Sequence, residues 1–184
     1  PAVPGAWLAP EGGTEIWSNA AGERDDLGYF ESSGYLEAPI AEDWSVVATP
    51  WLQQNYDTED GWRGEATLGI KRVWAVEGGA LAMQAGALWW SHPEPGCSEG
   101  GAEVRALAGR DFDNGAFLNI EAAADALEGG CGGERLDLTL GQHWGEDWMG
   151  MAQVFLDGRA GEDYEENVKL QLSLVHFGGD GGGL

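Results

Sequence analysis

The sequence predicts an all-β fold, an antiparallel up-and-down transmembrane β-barrel of about ten strands. Three observations predict it. The first is strict alternation, seen best in the stretch Trp62 to Ser91. Arg63, Glu65, Thr67, Gly69 and Lys71 fall on one side of its first arm, and Gly64, Ala66, Leu68, Ile70 and Trp74 on the other. Alternation of this kind marks a strand whose two faces meet different surroundings. Here the charged face is the one expected to point inward, as in a barrel with a polar lumen and a lipid-facing apolar band. The second observation is the excess of tryptophan, ten residues gathered toward strand ends. The third is spacing. Alternating segments of roughly ten residues, enough to cross a bilayer when tilted, are joined by connections that are alternately tight and longer.

Taken in order, residues 1–13 hold three prolines and no period, and read as an extended periplasmic leader ahead of a barrel over 14–177. The first strand is Thr14 to Ala20, with Glu15, Trp17 and Asn19 on one side, and the polar run Glu23 to Asp26 is a loop. Tyr29 to Ala38 sets Glu31, Ser33, Tyr35 and Glu37 opposite Phe30, Gly34, Leu36 and Ala38. Trp44 to Tyr56 follows the turn Ala41-Glu42-Asp43. Its Pro50 cannot donate to a ladder, so weak pairing or a bulge is expected there. The arms of the central hairpin meet at Glu77-Gly78-Gly79, and the second arm carries Leu81, Met83, Ala85, Ala87 and Trp89 on the apolar face.

A loop with two prolines and Cys97 leads to Ala102 to Phe112, which places Glu103 and Arg105 inward. Asp113-Asn114-Gly115 is a strong hairpin signal. Ala116 to Leu127 alternates Glu121 and Asp125 with Leu118, Ile120, Ala122 and Ala124. A glycine-rich loop with Cys131 precedes Arg135 to Trp144, where Arg135 and Asp137 oppose Leu136, Leu138 and Leu140. Trp148 to Asp157 and Val168 to Phe177 complete the set, the last with Lys169 inward. Tight turns after even-numbered strands place both termini in the periplasm, and residues 178–184 form a Gly-rich tail.

Over nearly its whole length the chain resembles the small outer-membrane β-barrel proteins of Gram-negative bacteria, a porin-like group. Gly5-Ala6-Trp7-Leu8-Ala9-Pro10-Glu11-Gly12 looks like the lead-in to a first barrel strand, and Val175-His176-Phe177 is similar to the aromatic-ended strand that the barrel-assembly machinery recognises. The resemblance implies a location in the bacterial outer membrane, contact with its lipid and lipopolysaccharide, and handling by that machinery. The chain departs from the pattern after Phe177. Gly178 to Leu184 follows, which would start a further hairpin and make twelve strands.

Composition bounds the function. A net charge of −23 repels nucleic-acid phosphates, so no nucleic-acid partner is expected. No stretch approaches the roughly eighteen apolar residues of a membrane helix. The inward charges Glu31, Glu37, Arg63, Glu65, Lys71, Glu103, Arg105, Glu121, Asp125, Arg135, Asp137 and Lys169 read as a lumen network, either filling the barrel or lining water. Trp44, Trp74, Trp144 and Trp148 at one end, and Trp62, Trp89 and Trp90 at the other, read as aromatic girdles. Trp17 and Trp51 are expected to point inward and plug the lumen, while Arg72 and Arg110 lie on the lipid register at strand ends, where they can snorkel.

Cys97 and Cys131, on same-side loops, suggest a disulfide, with two free thiols or a metal site as alternatives. The histidines (His92, His143, His176) share no ligand spacing, so no metal, cofactor or catalytic residue is assigned. The acidic outer loops (Asp25, Asp26, Asp57, Glu59, Asp60, Glu162, Asp163, Glu165, Glu166) would either take Ca²⁺ or Mg²⁺ weakly or remain a solvated surface. Three functions follow as expectations. They are a non-enzymatic envelope-structural or partner-binding barrel with a narrow lumen, a passive channel for small polar solutes, and a soluble tryptophan-rich glycan-binding barrel.

Overall fold

The computed structural model describes residues 5–24, 27–55, 61–91, 96–129, 131–145, 147–160 and 165–176. Ten antiparallel strands form one sheet in sequential order: β1 (Thr14–Arg24), β2 (Leu27–Ala41), β3 (Trp44–Asn55), β4 (Trp62–Val76), β5 (Gly79–Trp90), β6 (Gly100–Asp111), β7 (Ala116–Leu127), β8 (Gly132–Trp144), β9 (Trp148–Ala160) and β10 (Glu165–His176). The sheet curls into a half-barrel, with β1 and β10 as its edges and no pairing between them among the described residues. The up-and-down order holds, and the expected closure is replaced by an open seam.

Several strands run longer than alternation alone suggests. Glu23 and Arg24 belong to β1 and Ala41 to β2, because ladder pairing continues past the point where side-chain patterning becomes polar. The irregularity between β2 and β3 falls at Pro39/Ala41. At Pro50 the register is unshifted, but the Gly34 and Tyr35 pairings are missing opposite Thr49 and Pro50, consistent with the lost donor. Tight connections use glycine where the backbone needs positive φ: Gly78 (φ 72°) between β4 and β5, and Gly115 (φ 80°) between β6 and β7.

The two faces separate cleanly. Across the outer face the register row Leu81–Ala108–Ile120–Leu138–Val154–Leu170 carries no charge, and the row Val46–Ile70–Ala85–Val104–Ala124 is apolar until it meets Glu134 near the start of β8. Leu68, Leu140 and Leu172 are exposed by 62%, 55% and 86%, part of a wide apolar surface. The concave face carries the polar and charged side chains, and Lys71 there is fully buried. The seam is looser. Inward-facing Ser18 and Ala20 on β1, and Lys169 and Gln171 on β10, remain exposed while their counterparts on the central strands are covered.

Residues 5–9 do not trail away from the sheet. They fold back against its concave face, where Ala6 and Ala9 pack with exposures of 0% and 6%. Ala6 meets Ala80, Ala82 and Leu107, with Trp7 and Val73 alongside.

Candidate functional site

Alternation aims the twelve lumen residues to one side, and the curvature of the sheet then gathers nine of them into two clusters and the cavity they line. In the first cluster Lys71 of β4 meets Glu37 of β2, Nζ to Oε2, at 2.8 Å, with side chains 0% and 3% exposed. All three ammonium protons are used, since Nζ also donates to the Trp7 carbonyl (2.6 Å) and to the Tyr35 hydroxyl (3.3 Å). Glu37 is held as fully. Its oxygens accept from Ser45 Oγ (2.6 Å), from the Ala9 amide (3.2 Å) and from the Tyr35 hydroxyl. A buried pair this completely bonded avoids the main penalty of burying charge, an unsatisfied partner.

The second cluster is a ladder across β6, β7 and β8. Arg105 grips Glu103 with Nε (2.6 Å) and Nη2 (2.9 Å), and reaches Glu121 with Nη1 (2.9 Å). Arg135 donates to the same Glu121 oxygen (2.9 Å) and pairs through Nε with Asp137 at 3.1 Å. The spacing explains the geometry: residues two apart on one strand share a face, and their cross-strand neighbours lie within reach of a guanidinium.

These clusters border a cavity of about 480 Å³, lined by Glu31, Tyr35, Trp51, Glu65, Arg105, Arg135 and Asp137, by Phe155 of β9, and by Gly5 of the leader. Gln84, 3% exposed, presents an amide nitrogen there with no partner among the described residues. A second polar hollow, of about 200 Å³, lies toward the longer loops between Trp90, Glu103, Asp125, Arg135 and Asp157. Arg63 is exposed near the start of β4 and joins neither cluster. Lys169 sits over the Phe155 ring at 5.7 Å, at the open seam.

The tryptophans divide differently from expectation at two positions. Trp44, Trp74, Trp144 and Trp148 flank the tight turns on the outer face, and Trp62 and Trp89 lie at the opposite end, all half-exposed. Trp90 is corrected: it shares the inward face with Gln84 and Leu88 and lines the hollow beside Glu103, because adjacent strand residues cannot share a face. Trp17 is also corrected. It pairs with Gly34, and a Cβ on Gly34 would lie 2.8 Å from its ring and 3.0 Å from Pro50, so Trp17 belongs to the outer face. Trp51 does point inward. Arg72 is held between Trp44 and Trp74, 5.2 and 5.1 Å from their rings, and bonds Asp43 at 2.9 Å.

Cys97 and Cys131 are joined, with Cα atoms 5.7 Å apart, tying the β5–β6 loop to the β7–β8 loop. No His, Cys, Asp or Glu group suited to a metal ion occurs among the described residues. The acidic loop residues Asp25, Asp26, Asp57, Glu59, Asp60, Glu162 and Asp163 lie outside the described residues, and Glu165 and Glu166 are described only as backbone of β10. Pattern reading gave no role to Ser45, Gln84 and Asp157, and it took residues 1–13 as an extended periplasmic leader, whereas Ala6 and Ala9 are buried against the concave face. Ser45 and Asp157 sit on inward registers that alternation marks. The leader has no periodicity, and its only cue is the run of small residues Gly5, Ala6 and Ala9 around one tryptophan.

Comparison with protein-family models, with curated proteins and with solved structures gave no match to this chain.

Proposed function

We propose that the chain is the membrane-embedded body of a bacterial outer-membrane β-barrel, with a lumen filled by side chains and an envelope-structural or partner-binding role. One observation carries this reading: charge is sorted to the concave face, and the outer face is apolar from one row of tryptophans to the other. In water that arrangement is inside out. In lipid it is the low-energy one, because each outward leucine keeps its transfer free energy and each inward ion keeps its partner. Glu15, Arg72, Arg110 and Glu134 interrupt the outer face only near strand ends. The ion-pair ladder and the leader both lie on the concave face and divide its space into separate hollows, which favours a filled lumen over a passive channel.

An open sheet edge within hydrocarbon leaves backbone groups unpaired, so the seam between β1 and β10 is closed in the membrane. Direct pairing of these two antiparallel edges, or insertion of one further hairpin to make twelve strands, preserves antiparallel neighbours throughout. The exposed inward residues at the seam favour the hairpin.

The test is reconstitution with lipids brominated along the acyl chain. The reading expects tryptophan quenching that varies with bromine depth and is strongest near the headgroups, and retention in the membrane pellet after carbonate washing. Release into the supernatant without detergent would instead support the soluble glycan-binding reading.

A further inference from the structure

We propose that the segment Gly5 to Pro10 is a lumen plug, locked by the Lys71–Glu37 pair, which separates the interior chamber from the mouth at the tight-turn end. The inference rests on the membrane reading for its consequence and on packing alone for its placement. Gly5 lines the chamber of about 480 Å³. Trp7 and Leu8 line a different hollow, of about 540 Å³, with Glu42, Asp43 and Gly79 of the tight turns. The leader is therefore the partition between two spaces that would otherwise run together.

Its fit is specific. A Cβ at Gly109 would lie 2.3 Å from the Trp7 ring, so only glycine leaves room for that ring against β6. A Cβ at Gly5 would lie 2.9–3.1 Å from the side chain of Asn119 on β7. Between these contacts and β1 the segment touches the lock twice, through the Trp7 carbonyl on Lys71 and the Ala9 amide on Glu37. Both are backbone contacts, so the lock reads chain position and not side-chain identity. Beyond Pro10 the chain turns through Gly12 and Gly13, both at positive φ, with the Gly13 amide donating to the Pro10 carbonyl at 2.9 Å. Two glycines there give the plug a joint by which to enter or leave without disturbing β1.

The experiment has two arms on the full chain. In the first, Gly5→Cys with Asn119→Cys is oxidised in folded protein, where the separation suits a disulfide. A high yield of the cross-link, mapped by mass spectrometry, is expected, and folded protein without it would overturn the plug in any solvent. In the second arm, planar-bilayer conductance is compared for the parent, for a chain lacking residues 1–10, and for Gly109→Val, which evicts Trp7 while leaving Lys71 and Glu37 intact. Both variants are expected to conduct severalfold more than the parent, and the oxidised double cysteine to match the parent. Unchanged conductance from inserted, protease-protected variants would overturn the plug. A double-cysteine variant that cross-links but leaves the membrane on carbonate washing would overturn the membrane reading and leave the plug as the cap of a soluble chamber.

Discussion

Lys71→Met isolates the cost of breaking the buried pair. The substitution keeps the length of the side chain and removes an ammonium that makes three bonds, to Glu37, Trp7 and Tyr35. Glu37 would keep its contacts from Ser45, Ala9 and Tyr35, yet it would remain a carboxylate 3% exposed with no countercharge. Removing one partner of such a pair costs about 3–5 kcal/mol, whereas replacing both costs far less. Glu37→Gln retains an acceptor for Ser45 and Ala9. The double variant Lys71→Met/Glu37→Gln should therefore lie within about 2 kcal/mol of the parent, well short of the sum of the singles. The assay is reversible urea unfolding in lipid vesicles, followed by tryptophan emission, across the full mutant cycle. A loss below about 1 kcal/mol for Lys71→Met, or strict additivity in the cycle, would refute the claim that the pair is an interdependent buried unit.

Other perturbations probe the remaining features. Arginine at Leu138 or Leu140, exposed by 41% and 55% on the outer face, should lower stability by about 2–4 kcal/mol in a bilayer. The same unfolding assay checks this, and no loss would mean that these positions face water. Cys131→Ser opens a cross-link spanning 34 positions and should cost about 4 kcal/mol on loop-entropy grounds. Denaturant midpoints with and without reductant would measure it, with the reduced parent expected to match the variant. Arg72→Ala removes a stack between two half-exposed tryptophans and an exposed ion pair, so a loss of only about 0.5–1 kcal/mol is expected. A larger loss would place Arg72 in the core of the structure and not at its rim.

Sequence alone determined the strand count, the up-and-down order, the partition of charge from apolar surface and most of the tryptophan placement. These properties are local: a period of two decides which face a side chain joins, and a glycine or Asn-Gly pair decides where the chain reverses. Even the two misplaced tryptophans obey the same rule once the register is known, for Trp90 follows Gln84 inward and Trp17 follows Gly34 outward. Tertiary structure decided what alternation cannot carry. Curvature sets which inward groups touch, joining Glu37 to Lys71 across 34 residues and leaving Arg63 outside either cluster. The open edge between β1 and β10 depends on how the whole sheet bends, a sum over many small twists that no single strand encodes. The leader is the sharpest case. A segment with no period of its own took its conformation from the cavity that received it: a glycine-wide groove at Gly109, and two buried charges whose remaining hydrogen bonds its backbone could complete.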